Sequence, residues 1–126
     1  MVRATPKGLC YAYAVQEAAR NGGEVVHGRC LFPPDFVMRA PSFRGRRYDH
    51  AWVERDGLVY DWQMRDHPPV VATGFYLDRD PVEIRRYAPG EAVGLAVRTS
   101  CWGPWTYDEV AAQRAAMRCA KGRRQP

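Results

Sequence analysis

The sequence predicts an α+β domain, with a helix at each end and an antiparallel sheet between. Three local signals carry that reading. An amphipathic run over 8–20 stops at Asn21-Gly22-Gly23. Asp56-Gly57 sits between two alternating runs. Thr106 and Glu109 have capping-box spacing just ahead of a second amphipathic run. Helix, several strands and helix in that order is the pattern of an α+β fold, with its helices segregated from an antiparallel sheet.

Taken in order, GLCYAYAVQEAAR places Tyr11, Val15, Ala18 and Ala19 on one apolar stripe. Asn21-Gly22-Gly23 is a good stop, because glycine adopts the left-handed conformation that helix ends need. EVVHGRCL at 24–31 reads as a strand, and the proline- and arginine-rich stretch 32–47 as a surface loop. YDHAWVERDGLVYDW (48–62) reads as a hairpin on a two-residue Asp-Gly turn. Residues 70–80 carry no clear pattern, while VEIRRY (82–87) and AVGLAVRT (92–99) read as further strands. The Thr106/Glu109 capping box then opens a helix over about 107–119. The expected organisation is a single domain over 1–120 and a basic tail at 121–126.

The 126 residues are enough for one modest core, and 46% of them are apolar. No window approaches the roughly 18 apolar residues of a membrane helix, and the N-terminus lacks the apolar centre of a signal peptide. The expectation is therefore a cytoplasmic protein with no membrane partner. The net charge of +5 comes almost wholly from arginine, with lysine only at Lys7 and Lys121. RGRR (44–47) and KGRR (121–124) are dense basic runs, but interspersed acidic residues argue against a continuous nucleic-acid stripe. Cys10, Cys30, Cys101 and Cys119 are scattered without a CxxC pair. His27-x-x-Cys30 has no second pair at metal spacing, so no metal and no cofactor is expected.

The hairpin has a consequence for chemistry. A two-residue turn pairs Arg55 with Leu58, Trp52 with Asp61 and His50 with Gln63. Paired residues share a face and neighbours alternate. His50, Trp52, Glu54, Val59, Asp61 and Gln63 then form a polar face, and Ala51, Val53, Leu58, Tyr60 and Trp62 the core face. His50 and Asp61 become diagonal neighbours, within bridging reach. An aspartate there fixes the imidazole tautomer and stabilises the imidazolium. Asp49, beside His50 in the chain, points to the opposite face. The missing element is a nucleophile, and Cys10 supplies one. It falls in the first turn of the expected N-terminal helix, where dipole and orphan N–H groups favour a thiolate. Gly8 permits close backbone approach, and the same N–H groups suit a developing oxyanion. Cys30, Cys101 and Cys119 read as structural. Cys10, His50 and Asp61 make a nucleophile–base–orienter set.

GLCYAYAVQEAARNGGEVVHG followed by DHAWVERDGLVYDW resembles the transglutaminase-like superfamily of papain-fold cysteine enzymes. The shared features are a cysteine opening a helix, a helix-to-strand step ending in Val-x-Gly, His-Ala-Trp-Val-Glu, and a downstream aspartate. They span roughly residues 7–62. The resemblance implies a papain/transglutaminase-like fold, Cys10 as nucleophile, His50 as base and acid, and Asp61 as orienting carboxylate. It also implies chemistry on amides through a thioester: hydrolysis of peptide, isopeptide or side-chain amide bonds, deamidation, or acyl transfer to an amine. The chain departs from papain-like peptidases in having no glutamine before the cysteine. It is also far shorter than the eukaryotic cross-linking enzymes and has no obvious calcium loop. A small hydrolase like the compact bacterial and phage members fits better, with a protein or peptide as substrate.

Trp52 shares the histidine's face, as a cleft wall or an oxyanion donor. Arg47, with Arg44 and Arg46, precedes the histidine strand and would rim a cleft for carboxylate-bearing substrates. His27 reads as structural, Trp102 and Trp105 as a core corner, and His67 has no identifiable partner. Two competing readings are a catalytically silent basic module that binds protein or nucleic acid, and a small metal-structured domain using Cys10, His27 and Cys30. The oligomeric state is not legible.

Overall fold

The computed structural model describes residues 6–123. Helix α1 (Pro6–Asn21) leads into strand β1 (Glu24–Leu31), a short helix α2 (Pro34–Arg39) and a 3-10 turn at Pro41–Phe43. Strands β2 (Arg47–Arg55) and β3 (Leu58–Tyr60) follow, then a 3-10 turn at Trp62–Met64 and strand β4 (Val70–Val71). Helix α3 (Ala72–Arg79), strand β5 (Val82–Tyr87), and helices α4 (Pro89–Thr99) and α5 (Tyr107–Arg123) complete the chain. The strands form one antiparallel sheet in the order β4-β3-β2-β1-β5. The α+β class holds.

The sheet is covered on both faces, so the molecule has three layers. Val25, Ala51, Val53 and Tyr87 pack against Cys10, Tyr11, Ala14, Val15 and Ala18 of α1, Ala92 and Leu95 of α4, and Val110 of α5. On the other face Val26, Cys30, Trp52 and Val59 pack against Phe75 of α3. This corrects the expected division of the hairpin into a core face and a polar face. Helix α3 lies over the second face, and His50 and Trp52 are fully buried there. The burial pattern of β1, with four consecutive buried residues, follows from this double covering.

Several elements stand as read. The hairpin register is the expected one, with Val53 opposite Tyr60, Glu54 opposite Val59 and Arg55 opposite Leu58. Asp56 (φ 54°) and Gly57 (φ 77°) both lie in the left-handed region, as a type I′ turn requires. Gly23 (φ 97°) brings β1 so close to β2 that a Cβ would lie 2.7 Å from the Glu54 carbonyl oxygen. Thr106 Oγ1 accepts from the Glu109 N–H, and Glu109 Oε1 accepts from the Thr106 N–H, closing the capping box of α5.

Other elements differ. The run at 92–99 is helical, not a strand. Pro89 pre-sets the first turn, the Glu91 carboxylate accepts from the Ala88 N–H, and Ala92 and Leu95 point inward at helical spacing. Residues 70–80 hold β4 and α3, and the expected loop at 32–47 holds α2 and a 3-10 turn. That segment is organised by stacked and edge-on rings of Phe32, Phe36, Phe43 and Tyr48. Helix α5 continues through the first three residues of the expected basic tail, while 124–126 lie outside the described residues. Among the described residues no helix is long and apolar enough to cross a membrane.

Candidate functional site

The site begins where β3 ends. Strand β3 pairs with β2 only opposite Val53–Arg55. The expected pairs Trp52–Asp61 and His50–Gln63 therefore do not form. Instead Asp61 caps the 3-10 turn, its Oδ1 accepting from the Gln63 N–H at 2.9 Å. The capping geometry turns Oδ2 to His50 Nε2, 2.7 Å away. Both side chains are 1% exposed. Burial alone would raise the Asp61 carboxyl. Its hydrogen bond to His50, the His50 charge, the Gln63 N–H and the Arg79 cation together hold it below the usual range.

Helix α1 packs along the length of β2 left unpaired by β3 and brings Cys10 to it. Cys10 is 1% exposed, and the Ala51 N–H, one residue beyond His50, reaches its sulfur. The N–H groups of Tyr11 and of Cys10 itself also favour the thiolate, while Asp61 is close enough to oppose it. Burial outweighs these N–H groups and pushes the thiol up to about 11. Two expectations are thereby corrected. Cys10 is the fifth residue of α1, a turn inside the helix and past its four orphan donors. It is a protonated thiol at neutral pH, not a standing thiolate.

Three other expected site residues have different employment. Trp52 is fully buried in the α3-side core, and its indole N–H donates to Glu54 Oε2 at 2.9 Å. It neither walls a cleft nor has a donor to offer an oxyanion. Arg47 donates to the carbonyl oxygens of Arg29 and Asp80 and pairs with the Asp80 carboxylate at 2.7 Å. It ties β2 to β1 and to the end of α3 rather than rimming a cleft. Gly8 is exposed in the first turn of α1, two residues ahead of Cys10.

His27 stacks on Trp105 and meets Tyr11 and Tyr87 edge-on. Burial, with help from the Arg85 and His50 charges, lowers it to about 3. Cys30 is fully buried on the other face of the sheet and is raised to about 12 by burial. Cys10, His27 and Cys30 are thus not gathered for a metal. Among the described residues no group of three or more histidine, cysteine or acidic side chains is arranged to hold one. Trp105 is a core corner, with its indole N–H on the Cys101 carbonyl, while Trp102 is 43% exposed. A cleft of about 490 Å³ opens between Tyr11, His27, Asp49 and Trp105, flanked by the chain neighbours of Cys10 and His50.

One buried residue was missed by sequence reasoning. Arg79, the last residue of α3, is 6% exposed, and its Nη1 donates to the Tyr48 hydroxyl at 3.0 Å and Gln63 Oε1 at 3.3 Å. Nothing in Leu-Asp-Arg-Asp-Pro marks it, because its burial is produced by the packing of α3 over β2.

Comparison with family models, curated proteins and solved structures finds no match to this chain. The functional reading therefore rests on the residues and their geometry.

Proposed function

We propose that the chain is a cysteine hydrolase that cleaves peptide, isopeptide or side-chain amide bonds. Cys10 is the nucleophile, His50 the base and acid, and Asp61 the orienting carboxylate. The observation that carries the reading is the buried 2.7 Å contact between His50 Nε2 and Asp61, next to a strand residue whose N–H meets the Cys10 sulfur. Nε2 is committed to Asp61, so in this proposal Nδ1 exchanges the proton with Cys10 across the edge of β2 that β3 leaves open. The resemblance of GLCYAYAVQ and DHAWVERDGLVYD to transglutaminase-like enzymes of papain-like fold supports the same assignment.

In the proposed reaction the Cys10 proton passes to His50 as the sulfur attacks the amide carbon. The Ala51 N–H beside the sulfur is the donor placed to meet the oxyanion. Collapse of the adduct breaks the C–N bond, and the departing amine leaves with the proton from His50. Water then cleaves the thioester, giving its proton to His50 and restoring the thiol. An amine in place of water makes the same enzyme an acyl transferase.

The test is labelling by a thiol-reactive, amide-mimicking probe at pH 7, read cysteine by cysteine. Cys10 is expected to label faster than Cys30 and Cys101, and His50→Ala to abolish the difference. Equal rates at Cys10 and Cys30 would sink the assignment. One observation favours a second reading, a catalytically silent basic binding module: the Cys10 thiol is closed from solvent and protonated at rest. That reading expects salt-dependent retention on nucleic acid that survives Cys10→Ala.

A further inference from the structure

Arg79 is a buried cation with no carboxylate within ion-pair distance among the described residues. Its Nη1 is held by two neutral acceptors, the Tyr48 hydroxyl and Gln63 Oε1, and its guanidinium carbon lies 5.2 Å from the centre of the Phe75 ring. A charge taken this far from water needs a counter-charge. The one it faces is Asp61, reached through a single intervening residue. Gln63 accepts from Arg79 with its side chain and donates to Asp61 with its backbone N–H. Tyr48, the other acceptor, has its ring 5.2 Å from the His50 ring. The guanidinium therefore braces both the carboxylate and the imidazole without touching either.

We infer that Arg79 is a positioning residue whose cation balances Asp61, so that a proton can move from Cys10 to His50 inside a closed site. This rests on the proposed Cys10–His50–Asp61 assignment. With Arg79 present, the four groups sum to zero both before transfer (thiol, imidazole, carboxylate, guanidinium) and after it (thiolate, imidazolium, carboxylate, guanidinium). Without it, the buried set carries a net negative charge in both states, and the thiolate forms against an uncompensated Asp61. A site using a neutral amide as orienter would not need such a cation. An aspartate in the same place leaves a buried negative charge that the guanidinium offsets.

The other ionisable groups that bear on the cluster are few. Strand β1 contributes Cys30 and His27, β2 contributes Tyr48 and Arg47, and α1 contributes Tyr11 and Tyr13 alongside Cys10. Cys30 and Tyr48 are raised by burial and neutral near pH 7, and Arg47 is neutralised by Asp80. Arg79 is thus the cation without a carboxylate partner of its own.

The experiment is the pH profile of Cys10 alkylation by iodoacetamide, resolved from Cys30, Cys101 and Cys119 by peptide mapping. It compares the wild type with Arg79→Met and Arg79→Lys. Arg79→Met is expected to slow Cys10 alkylation at pH 7 by roughly tenfold and to move the profile upward by about one pH unit. Arg79→Lys, which keeps the charge and loses the planar fork, is expected to restore most of the profile. A merely structural arginine predicts equal defects in both variants, and that result overturns the inference, as does an unchanged profile in a folded Arg79→Met. If Arg79→Met does not fold, the Lys variant decides alone, because a wild-type position of its profile is expected only if charge is what matters. Failure of the underlying assignment looks different: wild-type Cys10 then reacts no faster than Cys30, and the role of Arg79 falls with it.

Discussion

Asp61 has two acceptor oxygens, and both are occupied, one by His50 and one by the Gln63 N–H. Removing the carboxylate leaves a buried imidazole nitrogen without a partner, which costs far more than the pair's net contribution to stability. Asp61→Ala is expected to lower the unfolding free energy by about 3 kcal/mol at pH 7, measured in urea. Asp61→Asn keeps an acceptor for Gln63 and should cost less, yet it slows Cys10 labelling as severely because the imidazolium loses its charge partner. The sign of the pH effect follows from the lowered carboxyl. Asp61 contributes stability above the unfolded value of about 3.9, and that contribution disappears as pH falls through its folded value. At this scale the meeting of His50 with Asp61 was legible from the local Asp-Gly turn, but its route was not: the ladder ends at Tyr60, and Asp61 reaches the histidine from the cap of a 3-10 turn. The burial of Cys10 and Trp52 was not legible either, since it depends on α1 and α3 arriving from elsewhere in the chain.

The hairpin and the helices show what an element's own residues decide. The turn at Asp56-Gly57 needs two left-handed residues, and a Cβ at Gly57 would meet nothing within 4 Å. Gly57→Val should therefore cost about 1–2 kcal/mol through backbone strain alone, seen as a lower urea midpoint with an unchanged slope. Helix α4 was misread because Ala-Val-Gly-Leu-Ala-Val is an apolar run that suits a buried strand equally well. What decides for the helix is Pro89 and the Glu91 bond to Ala88, together with inward packing of Ala92 and Leu95. Residues 70–80 lacked a readable pattern because β4 has two residues and α3 eight, too short for periodicity to emerge.

Across the whole molecule, the face of the sheet under α1 encloses a histidine that must stay neutral. His27 is lowered to about 3 by burial and by the charges of Arg85 and His50. The unfolded chain takes up this proton near pH 6.5 and the folded one does not. Stability therefore falls as pH drops below about 6.5 and continues to fall toward 3. Between pH 7 and pH 5 this one residue should remove about 2 kcal/mol of stability. His27→Phe, which keeps an aromatic ring among Tyr11, Tyr87 and Trp105, should flatten that slope in urea titrations at the two pH values. An equally steep slope in the variant would assign the acid sensitivity elsewhere.

The early end of β3 has a consequence for anyone redesigning this chain. Three residues pair with β2, and then the strand gives way to a capped turn. A longer β3 would satisfy more of the β2 backbone and make a more regular sheet. It would also take Asp61 out of the cap that aims its Oδ2 at His50, and fill the space along β2 where the Cys10 sulfur meets the Ala51 N–H. Sequence changes that perfect the hairpin should therefore raise the melting temperature and dismantle the site together. The proposed chemistry depends on a strand that stops short.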